Sequence, residues 1–240
     1  MRRNRFTMVR TWCGCILLLF ACLLLLAAAP ISAATISLSF NSLPSAQGWT
    51  YVSSGLTETN VFSVDGTKLT QNTLGTGSSG YAYYQMAGIL DVTQPFSIEV
   101  QARMLGEELS TPGGFSFFAT GVGLYAGPLL GANIVAIIDP GPGVFVAVDT
   151  SSFHDYLFQA NPQNGTWTLY IDGALAASGQ LNTSNLPNLV YFGDVSTGVN
   201  GRAEINKYIF SQGTVIPEPG TWTMLAAGLM IGFVKARVKR

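Results

Sequence analysis

Charged side chains are scarce in this sequence of 240 residues. Asp, Glu, Lys and Arg make up 10% of it, compared with about 25% in ordinary soluble domains. The few cations gather at the two ends, so residues 35–214 hold four Lys and Arg against twelve Asp and Glu, a net charge of −8. Binding of nucleic acid requires clustered Lys and Arg against the phosphates. The acidic middle of the chain therefore argues against nucleic acid as its partner.

Cysteine is confined to the start of the chain, at Cys13, Cys15 and Cys22. The residues around them predict a secretory signal peptide, residues 1–34, because four arginines precede an apolar run of 14 residues and small residues precede the cleavage point. Such a run spans about 21 Å as a helix, less than the ~30 Å hydrocarbon core, which disfavours the alternative of an uncleaved anchor. We expect export by the Sec machinery and cleavage by signal peptidase. No disulfide, thiolate nucleophile or Cys-ligated metal is then available.

Histidine occurs once, at His154, so catalysis by histidine depends on this residue alone. Neighbouring residues of a strand point to opposite faces, which separates His154 from Asp155, and no nucleophile motif accompanies them. We therefore predict a structural role for His154. Hydrolysis of a glycosidic bond requires two facing carboxyl groups about 5–9 Å apart, whereas Glu99 has no acid two residues later and Glu107 and Glu108 are adjacent. The sequence accordingly predicts no catalytic activity.

Helical periodicity is almost absent between residues 35 and 214, and short alternating runs recur instead. In residues 96–104, FSIEVQARM, apolar and polar side chains alternate as in a half-buried strand. Asp65-Gly66 and Asp172-Gly173 each lie between two such runs and predict β-hairpins. The chain is therefore expected to be all-β, an antiparallel sandwich or barrel. The other predicted strands are residues 36–40, 61–64, 68–71, 82–85, 115–120, 135–139, 144–149, 156–159, 167–171, 174–178, 190–193 and 205–210.

The last residues, 213–240, combine three features. Pro217-Glu218-Pro219 forms a stiff extended step, because each proline fixes its own φ and disfavours helix at the residue before it. An apolar run of 14 residues follows, at 221–234, and is a short candidate transmembrane helix. A basic cluster then ends the sequence and is expected on the cytoplasmic side of a membrane. Its members are Lys235, Arg237, Lys239 and Arg240.

This order of features closely resembles the PEP-CTERM sorting signal of Gram-negative bacteria. The matching residues are Pro217, Glu218, Pro219, Thr221 and Trp222, followed by the apolar run and the basic end. The resemblance implies that exosortase recognises the Pro-Glu-Pro step, with Glu218 as a recognition residue, while the apolar run holds the precursor in the inner membrane. It also implies a final location in the cell envelope, at the surface or in the extracellular matrix, of a bacterium that makes exopolysaccharide. A plain C-terminal membrane anchor is the alternative.

The order of the middle segments carries a second resemblance. PFSIEVQARM is followed by a Gly-rich stretch, then by FHDYLF, WTLYIDGALAASG and AEINKYIF, over residues 95–210. This order is similar to the concanavalin A-like lectin/glucanase superfamily, which includes laminin-G-like modules. The resemblance implies a jelly-roll antiparallel β-sandwich at residues 35–212, flanked by the signal helix and the short transmembrane helix. Because this fold hosts lectins, glucanases and passive domains alike, it does not select a function.

Aromatic and acidic residues supply the remaining candidate sites. Tyr81, Tyr83 and Tyr84, together with Trp49 and Tyr125, lie in or beside Gly-rich stretches, where their rings could stack on a sugar; packing in the core is the alternative. Asp139 and Asp194 lie near predicted turns and are candidate ligands for Ca²⁺, which takes oxygen ligands from loops. Turn formation is the alternative role for these aspartates. No other cofactor is expected.

The combined expectation is an exported cell-envelope or matrix protein that exosortase sorts and processes. It would associate with exopolysaccharide and have no catalytic activity. Two alternatives stay open: a lectin-like module that binds carbohydrate, and a polysaccharide hydrolase with an unrecognised site.

Overall fold

The computed structural model describes residues 34–77, 79–109, 111–137, 140 and 143–213. The predicted signal peptide up to residue 33 and the predicted sorting segment from residue 214 onward lie outside this part of the chain, as do all three cysteines. Among the described residues, no helix is long and apolar enough to cross a membrane.

Two antiparallel sheets of eight strands each form a sandwich, which confirms the predicted all-β fold. We call the first one sheet A. Its strands are β1 (Ala34–Ser37), β3 (Phe62–Val64), β4 (Leu69–Asn72), β6 (Phe96–Glu107), β12 (His154–Asn161), β13 (Thr166–Ile171), β14 (Ala174–Gln180) and β16 (Gly201–Gln212). Their order in the sheet is β14-β13-β12-β6-β16-β4-β3, and β1 also pairs with β16.

The second sheet, sheet B, has the order β11-β10-β9-β7-β15-β5-β2, and β8 also pairs with β7. Its strands are β2 (Thr50–Ser53), β5 (Ala82–Ala87), β7 (Phe115–Val122), β8 (Leu124–Ala126), β9 (Pro128–Gly131), β10 (Ile134–Ile137), β11 (Val144–Ala147) and β15 (Asn185–Asp194). Neighbouring strands of both sheets are often far apart in sequence, so the sandwich depends on long-range pairing.

Two short helical segments interrupt the strands: a 3₁₀ turn at Pro44–Gln47 and the single-turn helix α1 at Glu58–Val61. The prediction of a strand over residues 61–64 is therefore wrong at its first residue. Val61 closes α1 and is buried, and the strand begins only at Phe62. Packing of Val61 against the core, rather than its β-propensity, decides its conformation.

Both predicted hairpins are present, with different turns. Asp172 and Gly173 join β13 to β14 with φ angles of 52° and 78°, the left-handed conformation that a two-residue turn between antiparallel strands requires. Between β3 and β4 the connection has four residues, from Asp65 to Lys68. There the Asp65 carboxylate accepts hydrogen bonds from the backbone N–H groups of Thr67 and Lys68, so the side chain sets the turn.

The core between the sheets is rich in aromatic rings. Trp49 packs edge-on against Phe192 of sheet B and Tyr208 of sheet A, with ring centroids 5.0 Å and 5.4 Å apart. Further along the same interior, Phe158 and Trp167 stack at 6.0 Å. All five side chains are at most 3% exposed. Inward-facing rings of both sheets therefore interlock, which leaves the outer faces of the sheets as the two broad surfaces of the molecule.

Candidate functional site

Strand alternation gives sheet B one buried face and one outer face. On β5, Ala82 and Tyr84 are fully buried, whereas Tyr83 between them is half-buried. Tyr83 therefore points outward. Tyr83 lies opposite Gly193 of β15, and Gly193 lies opposite Ser116 of β7, so the same face continues across these three strands.

Five aromatic rings follow one another across this outer face, and we call them the aromatic row. In order, they are Tyr81, Tyr83, Tyr191, Phe118 and Tyr125. Successive ring centroids are 6.1, 5.9, 5.5 and 5.1 Å apart, and the rings of Tyr191 and Phe118 are nearly parallel, at 11°. The row passes over β5, β15, β7 and β8 and so runs across the strands.

The two ends of the aromatic row are more open than its centre. Tyr81, Tyr83 and Tyr125 are half-buried, whereas Tyr191 is 9% exposed and Phe118 is fully buried. The side chains of Tyr191 and Tyr125, which flank Phe118, are hydrogen-bonded to each other. Burial raises the pKa of Tyr83, Tyr125 and Tyr191. These phenols therefore stay neutral at physiological pH and remain hydrogen-bond donors.

Charge is nearly absent from sheet B. Its eight strands contain a single charged residue, Asp194. Asp194 lies opposite the buried Ala82, points inward and is fully buried. The outer face of sheet B, over the described residues, therefore offers a ligand aromatic rings, hydroxyls and amides but no ionic group.

The outer face of sheet A has the opposite character. Lys68 Nζ and Arg103 Nη2 each lie 2.7 Å from a carboxylate oxygen of Glu204, and Lys207 Nζ lies 2.5 Å from Glu99 Oε1. Burial alone raises the pKa of Glu204, but the hydrogen bonds and charges of Lys68 and Arg103 outweigh it and hold the pKa below its usual range. Three of the four cations between residues 35 and 214 are thus engaged in ion pairs on this face.

Tyr84 does not belong to the outer face, although the sequence placed it with Tyr81 and Tyr83. Its ring packs between Phe62 and Phe192, with centroids 4.6 Å and 5.5 Å away, and its hydroxyl donates to a Glu58 carboxylate oxygen at 2.7 Å. The side chain is 0% exposed. A ring with no open face cannot stack on a sugar, so Tyr84 is removed from the candidate stacking residues. Trp49, which is 3% exposed, is removed for the same reason, and Phe118, which is 0% exposed, does not enter them.

Tyr191 and Phe118 are the members of the aromatic row that the sequence did not reveal. Both lie in strands that were predicted, over residues 190–193 and 115–120, but their faces were not assigned. The signal that finds them is register: Tyr191 pairs with Phe118 on β7 and with Gln85 on β5. These pairings join residues that are 73 and 106 positions apart in the sequence, which alternation within one strand does not predict.

Asp194, a predicted Ca²⁺ ligand, lies inside the sandwich. Its Oδ2 is 2.5 Å from the hydroxyl oxygen of Thr73, and its Oδ1 accepts a hydrogen bond from the backbone N–H of Ser196. Burial raises the pKa of Asp194 to about 7, with hydrogen bonds opposing the shift and the charges of Glu107 and Glu108 adding to it. Asp194 is therefore a buried acid in a hydrogen-bond network between the sheets.

The structure does not gather acids around Asp194 in a metal-binding arrangement. Among the described residues, no three His, Cys, Asp or Glu side chains are placed to hold one ion, and the other predicted ligand, Asp139, lies outside those residues. Glu107 instead accepts backbone hydrogen bonds from Gly114 and Ala132, and burial raises its pKa. Glu108 is hydrogen-bonded to Asn200 at 2.6 Å. Binding of Ca²⁺ stays a prediction.

His154 has two acceptor partners. Its Nδ1 lies 2.6 Å from Asp172 Oδ2 in the β13–β14 turn, and its Nε2 lies 2.9 Å from the Asp149 carbonyl oxygen. Because both partners are acceptors, both ring nitrogens must carry hydrogen, as in the imidazolium. Burial lowers the pKa of His154, but these hydrogen bonds and the charges of Asp172 and Asp149 outweigh it and raise the pKa overall. The ring thus links the start of β12 to the β13–β14 turn and to Asp149. A purely structural role for His154 stays a prediction.

The predicted sorting residues lie outside the described part of the chain. They are Pro217, Glu218, Pro219, Trp222, Lys235, Arg237, Lys239 and Arg240. Their role as an exosortase signal therefore stays a prediction.

Comparison with known proteins finds relatives in structure only. No protein-family model matches the sequence, and no curated protein matches it. Among solved structures 253 chains match, so the fold is widespread and does not by itself select an activity.

Three of these structures define the similarity. A carbohydrate esterase from the Shiga toxin-encoding bacteriophage phi24B has a TM-score of 0.54 and 12% identity, over 75% of this chain and 99% of the esterase. A sialidase has a TM-score of 0.53 and 10% identity, over 73% of this chain and 18% of the sialidase. A native glycosidic hydrolase has a TM-score of 0.50 and 16% identity, over 77% and 98% of the two chains. At these identities they show the fold alone, a β-sandwich.

Proposed function

We propose that the protein is an exported, non-catalytic envelope or matrix protein that binds polysaccharide through the outer face of sheet B. Exosortase would sort and process it by way of its C-terminal segment. The observation that carries the binding proposal is the pair of half-buried rings Tyr81 and Tyr83 at one end of the aromatic row, in a sheet whose strands turn no ionic group outward. Aromatic rings offer a flat apolar surface together with a polar hydroxyl, which suits a sugar ring with one apolar face and polar edges.

Two further observations support a carbohydrate ligand. The ring centroids of Tyr81 and Tyr83 lie 6.1 Å apart, so two partly exposed rings are available to one ligand. The names of the three similar structures all refer to enzymes that act on carbohydrates, so sandwiches of this shape are compatible with glycan contact. Polysaccharide of the cell's own envelope is the ligand that fits the predicted location.

The non-catalytic part of the proposal rests on the chemistry of the face. Glycoside hydrolysis requires two carboxyl groups about 5–9 Å apart across the sugar, and the described outer residues of sheet B supply hydroxyls, amides and rings in their place. The alternative of a polysaccharide hydrolase has a direct test. Release of reducing sugar from the bound polysaccharide by the purified protein would contradict the proposal.

Replacement of Tyr83 tests the binding face. We expect Tyr83→Ala to weaken binding to polysaccharide about tenfold, or ~1.4 kcal/mol, because one stacking surface is lost. Tyr83→Phe should retain most of the affinity, because the ring remains. Calorimetric titration of the secreted protein with polysaccharides selected on a glycan array measures both variants. Equal affinities for wild type and Tyr83→Ala, with unchanged melting temperatures, would place the ligand elsewhere.

Processing at the two ends is tested by mass spectrometry of the mature protein from a host that makes exosortase. We expect the signal peptide and everything beyond the Pro-Glu-Pro region to be missing. Replacing Pro217, Glu218 and Pro219 with alanine should leave the precursor in the inner membrane, because the recognised step is gone. A secreted protein that still ends at Arg240 would refute the sorting proposal and leave the binding proposal untouched.

A further inference from the structure

The sequence contains two Asn-Gly pairs, Asn164-Gly165 and Asn200-Gly201. An asparagine that precedes glycine can lose its side-chain amide without an enzyme. The backbone nitrogen of the glycine attacks the side-chain carbonyl carbon of the asparagine, and glycine has no Cβ to hinder the approach. The reaction requires water and a glycine nitrogen that is free to move. The structure places the two pairs in opposite surroundings.

Asn164-Gly165 lies in the turn that joins β12 to β13. The connection consists of residues 162–165, and the Asn164 side chain is exposed to solvent. Gly165 has a φ of 69°, in the left-handed region that favours glycine. The tips of exposed turns open locally at little cost in free energy, so the backbone there can reach the geometry that ring closure requires. Both water and backbone motion are therefore available at this pair.

The hydroxyl of Thr166 is placed to assist the attack on Asn164. It donates a hydrogen bond to Asn164 Oδ1, and the two oxygens are 2.7 Å apart. This hydrogen bond polarises the side-chain carbonyl and stabilises the negative charge that its oxygen acquires when the carbon is attacked. Thr166 begins β13 and is paired with β12 on one side and β14 on the other, so the sheet holds its backbone in place.

The second pair, Asn200-Gly201, is protected in three ways. Asn200 is 1% exposed. Its side-chain nitrogen donates hydrogen bonds to the Gly77 carbonyl oxygen at 2.9 Å and to Glu108 Oε2 at 2.6 Å. The Gly201 nitrogen, which would have to attack, donates to the Thr73 hydroxyl at 3.0 Å. Folding therefore withholds water and backbone motion together, and an aspartate formed there would be buried beside Glu108.

We propose that Asn164 is a site of spontaneous deamidation in the folded protein and that Asn200 is not. The Gly165 nitrogen gives its proton to a solvent base and bonds to Asn164 Cγ. The bond from Cγ to the side-chain nitrogen breaks, and ammonia leaves with a proton taken from solvent. Water then opens the succinimide ring at either carbonyl carbon, which gives aspartate or isoaspartate without any transfer of electrons. This inference is independent of the proposed function.

The modification changes both the charge and the backbone of the turn. Either product adds a carboxylate to a domain that is already acidic, and isoaspartate also inserts one carbon atom into the main chain before Gly165. The Gly165 carbonyl oxygen accepts a hydrogen bond from the Leu181 N–H at 2.8 Å, and Trp167 Nε1 donates to the Gln180 carbonyl oxygen at 2.9 Å. These bonds tie the end of the edge strand β14 to the β12–β13 hairpin. Isoaspartate is therefore expected to loosen β14.

Mass spectrometry of chymotryptic peptides tests the proposal, because chymotrypsin cuts at aromatic residues between the two asparagines. The secreted protein is kept for several weeks in mildly alkaline buffer, folded or in urea. Water enriched in oxygen-18 during this period labels deamidation that precedes digestion. In urea we expect similar rates at Asn164 and Asn200, whereas folding should slow Asn200 at least about a hundredfold and Asn164 less than about threefold. Equal rates in the folded protein, or an Asn164 that reacts only in urea, would overturn the inference.

Matched variants test the chemistry and its consequence. Thr166→Val keeps the branched shape without the hydroxyl and should slow the reaction of Asn164 about fivefold, whereas Thr166→Ser should retain the rate. Asn164→Gln should give no labelled product, because its longer side chain would have to close a larger ring. The isoaspartate form should exchange the Leu181 amide hydrogen faster than Asn164→Asp, which keeps the normal backbone. Equal rates for wild type and Thr166→Val would refute assistance by the hydroxyl, and unchanged exchange at Leu181 would refute the loosening of β14.

Discussion

Asp194→Asn is expected to stabilise the protein by about 4 kcal/mol at pH 8 and to have little effect near pH 4, since one pKa unit corresponds to about 1.4 kcal/mol. Burial raises the pKa of Asp194 from 3.8 to about 7, so the folded state holds this proton more tightly than the unfolded chain does. The associated stability is fully present below pH 3.8 and is lost as the pH rises through 7. Asparagine removes that loss because it does not ionise.

The hydrogen bonds around Asp194 explain why the neutral form fits. Thr73 Oγ1 lies 2.5 Å from Asp194 Oδ2 and 3.1 Å from the Gly201 carbonyl oxygen, and it accepts the Gly201 N–H. A hydroxyl has one hydrogen to donate. If Asp194 is protonated, it donates a hydrogen bond to the Thr73 hydroxyl, and that hydroxyl can donate to the Gly201 carbonyl oxygen. If Asp194 is ionised, the Thr73 hydroxyl can donate to only one of these two acceptors, and the other receives no hydrogen bond from it. The amide N–H of asparagine reproduces the donor of the neutral acid.

Urea unfolding of wild type and Asp194→Asn between pH 4.5 and 8.5 measures this effect. Asp91→Asn is the control, because the Asp91 carboxylate accepts hydrogen bonds from the hydroxyl and backbone N–H of Thr93, which lower its pKa. That substitution should reduce stability at pH 8, the opposite sign. A loss of stability for Asp194→Asn at pH 8 would show that the ionised carboxylate has a stabilising partner in solution, and would refute burial of an unpaired charge as the cause of the pH dependence.

Gly201→Ala is expected to destabilise the fold by about 3 kcal/mol and to lower the melting temperature by roughly 10 °C. A Cβ at residue 201 would lie 2.6 Å from the Cα and 2.7 Å from the carbonyl oxygen of Gly114. Gly201 begins β16 of sheet A and Gly114 immediately precedes β7 of sheet B. Because both contacts are with backbone atoms of Gly114, no side-chain rotation can relieve them. The ends of the two sheets must therefore separate to admit a methyl group.

Gly198→Ala is the matched control for this substitution. Gly198 lies three residues earlier, and a Cβ there would have no atom within 4 Å. Its effect should stay within about 0.5 kcal/mol, or be slightly stabilising through the lost freedom of the unfolded chain. Calorimetric melting of both variants compares them. Similar melting temperatures for Gly201→Ala and Gly198→Ala would show that the contact between the sheets yields more easily than the geometry indicates.

Strands with clear alternation were predictable from the sequence, and irregular ones were not. The prediction over residues 96–104 falls within β6, and the Asp172-Gly173 turn is present. Strands β8 and β9 were missed because Gly127 interrupts them with a φ of 154°. That glycine is required by close packing, since a Cβ would lie 2.2 Å from the carbonyl oxygen of Phe117. Such a contact forms only in the folded protein, so the local sequence pattern does not predict it.

The candidate site also contains residues that the sequence predicts and residues that only the folded structure reveals. Tyr81 and Tyr83 could be proposed from their place beside a Gly-rich stretch, whereas Tyr84 had to be removed because its burial depends on Phe62 and Phe192 from distant segments. Tyr191 joins the row only through the register between β15 and β5. A set of residues from four strands is thus a property of strand order, which hydrophobic alternation alone does not determine.

The contrast between the two broad faces gives the molecule one side that water wets strongly and one that it wets weakly. At a boundary between water and less polar matter, the ionic side chains of sheet A stay hydrated because dehydrating each costs several kcal/mol. The tyrosine rings of sheet B, apolar in body and polar at the tip, settle at the boundary itself. At such a boundary the two faces therefore orient the molecule before any specific contact forms.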